Sequence, residues 1–163
     1  MKRFRQALLC LSLLLCGVAK GQIAPVPTTT PDSVVISLLT CSAGQEVWAQ
    51  YGHTALRVHN KATGSDLAVN YGVFDSSQPN FVLRFVFGLT DYSMGVIPME
   101  LFLKEYALEG RGVTEQVLNL TPKDKEAICK ALQDNARPEN VVYRYNFFYD
   151  NCTTRARDIV LQH

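Results

Sequence analysis

Past its first 21 residues the sequence has no apolar run long enough to cross a bilayer, which takes about 20 residues, so no membrane-spanning helix is expected in the remainder. Charge of one sign is also missing. Sixteen Lys+Arg stand against 15 Asp+Glu, without the basic face that nucleic-acid recognition needs, so no nucleic-acid partner is expected. There is no internal repeat, and no metal or cofactor is called for. Cysteine is sparse, at five residues, and two of these fall in the leader described next.

What is present begins with a secretory signal over residues 1–21. Lys2, Arg3 and Arg5 form a basic start, residues 7–18 an apolar stretch, and Ala19 and Gly21 supply the small residues a signal peptidase reads. Cleavage would leave Gln22 first and point to export, to the periplasm or cell envelope. Lipid attachment at Cys16 or Cys10 is the weaker alternative, because Leu15 and Leu9 stand where a small residue is expected. Without Lys2, Arg3, Arg5 and Lys20 the balance is 12 basic against 15 acidic residues, about −3. Residues 22–32, with Pro25, Pro27, Pro31 and three threonines, read as a tether. One domain over residues 33–163 follows, long enough for a single core. Cys41, Cys129 and Cys152 remain, an odd number in an exported chain. Cys41 and Cys129 either pair as a disulfide or are both simply buried. Cys152 has the surroundings of a working thiol.

The hydrophobic pattern predicts an α+β fold. Residues 33–40 are near-continuously apolar, as in a strand covered on both faces. A short helical turn is expected at 46–51. Residues 52–59 and 67–74 flank a polar, glycine-containing loop and read as a hairpin. Residues 80–88 read as a strand broken by Arg84, with a short strand at 92–96. Residues 98–108 have helical spacing, with Met99, Phe102, Leu103 and Tyr106 on one face. A strand at 113–120 precedes a helix capped by Thr121, with Pro122 at its first position, running to about Asn135. Residues 141–145 lead into the run Tyr145-Asn146-Phe147-Phe148-Tyr149, which reads as buried chain. Asp150 and Asn151 then cap a helix over 152–161, with Thr153, Ala156, Ile159 and Val160 on its packed face.

That last assignment puts Cys152 in the first turn of a helix, where the dipole and unpaired N–H groups favour a thiolate and can hold an oxyanion. Seen alone, a cysteine there is as readily a small buried hydrophobe. His53 starts the first hairpin strand, and Asn70 falls within one diagonal of it on the second. Asp75 would be the neighbour in a different register. An imidazole oriented by an amide or carboxylate, beside a cysteine, is a thiol–imidazole nucleophile. His59 is given no role.

The strings at residues 51–58 (YGHTALRV), 70–75 (NYGVFD) and 143–152 (YRYNFFYDNC) resemble the N-terminal periplasmic domain of the Lnb-type lipoprotein N-acyltransferase family, in that order along the chain. The resemblance covers residues 33–160. It implies a circularly permuted papain-like domain related to the NlpC and lecithin:retinol acyltransferase types, with an antiparallel sheet packed by helices. It further implies acyl transfer on bacterial lipoproteins, from the diacylglyceryl group to the N-terminal amine through a thioester on Cys152. The implied partners are a lipoprotein or lipid acyl substrate and a membrane surface. His53 would serve as base and then acid, oriented by Asn70 or Asp75. The Cys152 N–H would be one oxyanion donor and Asn151 or Tyr149 another, with Tyr51 also on the substrate side. The family continues past this point, often into membrane helices, whereas this sequence stops at His163, so a truncated or fragmentary product is expected. Two other readings keep the fold: an NlpC-type cell-wall amidase or endopeptidase, and a non-catalytic exported binding module.

Overall fold

The computed structural model describes residues 31–163. The signal, its cleavage point and all but the last two residues of the tether lie outside the described residues. Pro31–Ser33 form a short 3-10 turn, and the first strand starts at the next residue.

The hairpin expected from the polar loop is the centre of the sheet. It consists of β2 (His53–Asn60) and β3 (Ser65–Val73), paired antiparallel. The Asn60 side chain closes the turn by accepting from the N–H groups of Ala62 and Thr63. β1 (Val34–Cys41), β4 (Asp91–Pro98), β5 (Val113–Val117) and β6 (Val142–Arg144) complete an antiparallel sheet of order β5-β1-β2-β3-β4-β6.

Helices cover both faces. α2 (Met99–Leu108) lies over Leu39, Cys41, Ala55 and Ala68, placing Met99, Phe102 and Tyr106 on them. α3 (Pro122–Asn135) and α4 (Cys152–Leu161) pack on the other face, against Ile36, Leu56, Val58 and Val69. This two-sided cover is why β1 reads as a continuous apolar run: Val34 and Ile36 enter one core, Leu39 and Cys41 the other. Ile128 and Leu132 of α3 are fully buried, and each such side chain contributes about 1.5–3 kcal/mol by leaving water. α3 begins with the expected cap: the Thr121 hydroxyl accepts from Asp124 N–H while the Asp124 carboxylate accepts from Thr121 N–H.

Several expectations are corrected. Residues 80–88 form not a strand but a helix, α1 (Phe81–Val86). Phe81 and Phe85, four apart, stack on one side while Val82, Leu83 and Val86 face outward. A short run that is apolar around all but Arg84 carries no clear period, so length and pattern could not separate helix from strand. Residues 46–51 hold only hydrogen-bonded turns, Ala49 N–H to the Glu46 carbonyl and Gly52 N–H to the Ala49 carbonyl, close to the short helical turn expected there. The strand expected over 113–120 stops at Val117. Leu103 is largely exposed, because the alanines beneath α2 admit only a narrow stripe. Thr153 is exposed, and α4 buries Ala156 and Ile159. No helix among the described residues is long and apolar enough to cross a membrane.

Candidate active site

The start of α4 is built from its own sequence. Asn151 Oδ1 accepts from the N–H groups of Thr153 (2.9 Å) and Thr154 (3.0 Å), and Thr154 Oγ1 accepts from Asn151 N–H (2.8 Å). This cap leaves the N–H of Cys152, the first helical residue, uncapped. The loop before it is cinched by Asn146, whose Oδ1 accepts from the N–H groups of Phe148 and Tyr149 and whose backbone pairs with that of Asp150. The Asp150 carboxylate takes a two-pronged bond from Arg155 (2.6 and 2.8 Å). The Arg155 guanidinium lies 3.8 Å from the Tyr143 ring centroid. Loop and helix start are thus tied together and to the sheet.

The imidazole comes from the strand end. Ala55 of β2 faces Asn70 of β3 in the ladder, so His53, two residues back on the same face, stands diagonal to Asn70. Its Nε2 lies 2.6 Å from Asn70 Oδ1. An amide oxygen only accepts, so Nε2 donates, and the other ring nitrogen is left to exchange a proton. The chain reaches His53 through Gly52, at φ 75°, where a Cβ would lie 2.6 Å from the Cys41 carbonyl oxygen.

Thiol and imidazole meet across the end of the sheet. Burial pushes the Cys152 thiol up, but the adjacent His53 ring, the Thr54 N–H and the Thr153 hydroxyl outweigh it and bring the thiol down to about 7. A cavity of about 880 Å³ opens over the pair, a volume in the range of small-molecule sites. Its apolar lining is aromatic: Trp48 meets Phe74 edge-on (5.8 Å between centroids), Phe74 stacks on Tyr92 (4.7 Å) and Tyr92 on Tyr145 (4.3 Å). Tyr145 is pushed up to about 12 by burial and by the nearby thiol, so its phenol stays protonated. The lining is also polar, with Glu105 of α2 and Glu109 and Arg111 just after it.

The structure therefore brings Cys152, His53 and Asn70 together, with Tyr51 at the cavity edge against Phe147 (4.9 Å between centroids). It does not bring Asp75 there: its carboxylate accepts from the Ser77 N–H and hydroxyl in an exposed turn. Asn151 lines the cavity, but its backbone N–H is spent on Thr154 and its side-chain amide donates to the Phe147 carbonyl (2.8 Å). Phe148 and Tyr149 are 76% and 83% exposed, which corrects the expectation that the aromatic run is buried; the Asn146 turn holds them outward. Cys41, Cys129 and Cys152 are all free thiols. Cys41 and Cys129 pack into cores on opposite sheet faces, which excludes the disulfide and leaves Cys41 a buried thiol and Cys129 a half-buried one. Sequence reasoning missed the contribution of Thr54 and Thr153, and the brace from Asp150 to Arg155. Only that brace had a legible signal, a paired charge just across a helix cap.

No curated protein and no solved structure matches the chain. Residues 26–162 match the family described as the Lnb N-terminal periplasmic domain. The strings around His53, Asn70 and Cys152 that carried the resemblance lie inside the matched stretch, and the chain belongs to this family of exported, periplasmic domains.

Proposed function

We propose that the domain is a circularly permuted papain-like acyltransferase acting on bacterial lipoproteins, with Cys152 as nucleophile, His53 as base and acid, and Asn70 as orienter. The observation that carries this reading is the Cys152 thiol, lowered to about 7 beside an imidazole that Asn70 holds at 2.6 Å. Papain-like enzymes place the cysteine helix before the histidine strand. Here the order is reversed, which leaves the roles intact because they depend on geometry and not on chain order.

In the first half-reaction the Cys152 thiolate attacks an ester carbonyl of the diacylglyceryl group. The C–O bond breaks, the glyceryl oxygen takes the proton held by His53, and the acyl chain remains as a thioester. In the second, the lipoprotein's α-amine attacks the thioester carbonyl and gives its proton to His53. The C–S bond then breaks, returning the thiolate and leaving an amide on a lyso-lipoprotein. The Cys152 N–H stabilises the oxyanion in both steps. The aromatic lining suits an acyl chain. The exposed Tyr51 and Tyr149 suit a membrane surface, since aromatic side chains with a polar tip favour the lipid–water boundary, and the exposed Phe148 and outward side of α1 add apolar surface beside them.

Cys152→Ser and His53→Ala should each abolish transfer while leaving the fold intact, and their losses should not add. A lipoprotein lacking a free α-amine should trap an acyl-thioester on Cys152, read by mass spectrometry. Full lipoprotein N-acylation by Cys152→Ser in cells that depend on this protein would refute the mechanism. The polar lining from Glu105, Glu109 and Arg111 favours a second reading, an NlpC-type amidase or endopeptidase with the same dyad. Release of peptide fragments from cell wall, with no acyl-thioester, would select it.

A further inference from the structure

Gly72 lies on β3 two residues beyond Asn70, where continuing the Ala55–Asn70 register would set it opposite His53. The pairing of β3 with β4 slips between Asn70 and Val73, so a bulge spans it. A Cβ at this position would lie 2.6 Å from His53 Cε1, 2.8 Å from Asn70 Oδ1 and 3.2 Å from His53 Nε2. Carbon atoms in contact normally stay about 3.5–4.0 Å apart. The overlap therefore falls on both partners of one hydrogen bond and on the ring edge that makes it. The backbone gives no reason for glycine here: Gly72 is not among the residues with positive φ, whereas Gly64 and Gly110 are, and those two have open space around them. At Gly72 the requirement is for room, and the room is filled by the His53–Asn70 contact.

Resting on the dyad reading above, we propose that Gly72 is a positioning residue, whose missing side chain is the space in which His53 and Asn70 meet and the imidazole is aimed at Cys152. Any larger residue would turn the ring away from the thiol without touching Cys152.

The test is a cycle of wild type, Gly72→Ala, His53→Ala and the double variant. Alkylation of Cys152 by iodoacetamide is followed against pH by peptide mapping, and thermal melting is recorded for all four. The Cys152 midpoint in Gly72→Ala should rise by at least one pH unit, while His53→Ala and the double variant should give superimposable profiles, because no ring is left to displace. Gly72→Ala should also cost more in melting temperature when His53 is present. A Gly72→Ala protein that fails to fold alone but folds together with His53→Ala would support the proposal equally. A wild-type profile in Gly72→Ala, or an equal loss of stability in both backgrounds, would overturn it. None of these measurements needs an acyl substrate, so a missing transferase activity would count against the proposed reaction and leave this result standing.

Discussion

Cys129 in the middle of α3 and Cys152 at the start of α4 pack half-buried against the same core cluster, on helices that share one face of the sheet. Their thiols are driven in opposite directions. Burial alone pushes Cys129 up. At Cys152 burial acts the same way and loses to His53, Thr54 and Thr153. Depth in the protein is thus no guide to which cysteine reacts. A mid-helix thiol meets carbon, whereas a first-turn thiol at a sheet end meets an imidazole, a backbone N–H and a hydroxyl.

The largest expected effect erases this difference. His53→Ala should turn Cys152 into a second Cys129, raising its alkylation midpoint by roughly two pH units. A midpoint that stays near 7 would mean that the helix start suffices without the imidazole.

The pH dependence of stability separates the two thiols by sign. Cys152 has a folded value below its unfolded one, so its contribution is present above the unfolded thiol range and is lost as pH falls through about 7. Cys129 is raised on folding, so its contribution is lost as pH climbs past the ordinary thiol range. Wild type should therefore gain stability over Cys152→Ala between neutral and alkaline pH, on the order of 2 kcal/mol. Above that range it should lose ground to Cys129→Ala. Parallel pH curves in denaturant melts would contradict both assignments.

A smaller effect is expected from the cap that makes the start of α4 unlike the middle of α3. Asn151→Ala removes the acceptor for Thr153 and Thr154 and should cost about 1 kcal/mol, read from a urea midpoint. The thiol midpoint should rise slightly as the first turn frays. Smallest of all, Asp75→Ala should leave both the urea midpoint and the Cys152 alkylation profile unchanged. A shift in that profile would reinstate Asp75 as an orienter.

Local chemistry made several elements readable in the chain. Thr121 and Asp124 make their capping box from neighbours three residues apart, and Asn151 caps α4 in the same way. The hairpin was readable because strand alternation and a glycine-containing loop set its register. That register brought Asn70 to His53. α1 was not readable, because a short run apolar around all but Arg84 has no clear period to betray it. The outward turn of Phe148 and Tyr149 depends on Asn146 bonding to backbone it meets only in the folded loop.

Residue order was enough to put an exposable thiol at a helix start, a histidine at a strand start and an amide one diagonal away, since each rests on contacts within a few residues or on one hairpin. The choice of Asn70 over Asp75, the separation of Cys41 from Cys129 on opposite sheet faces, and the approach of Cys152 to His53 belong to the tertiary structure. They join residues as far apart in the chain as Thr54 and Thr153, whose hydroxyls bond at 2.9 Å beside the thiol. No local propensity encodes such a distance: only packing α4 against the sheet over a shared core brings those two ends of the chain together.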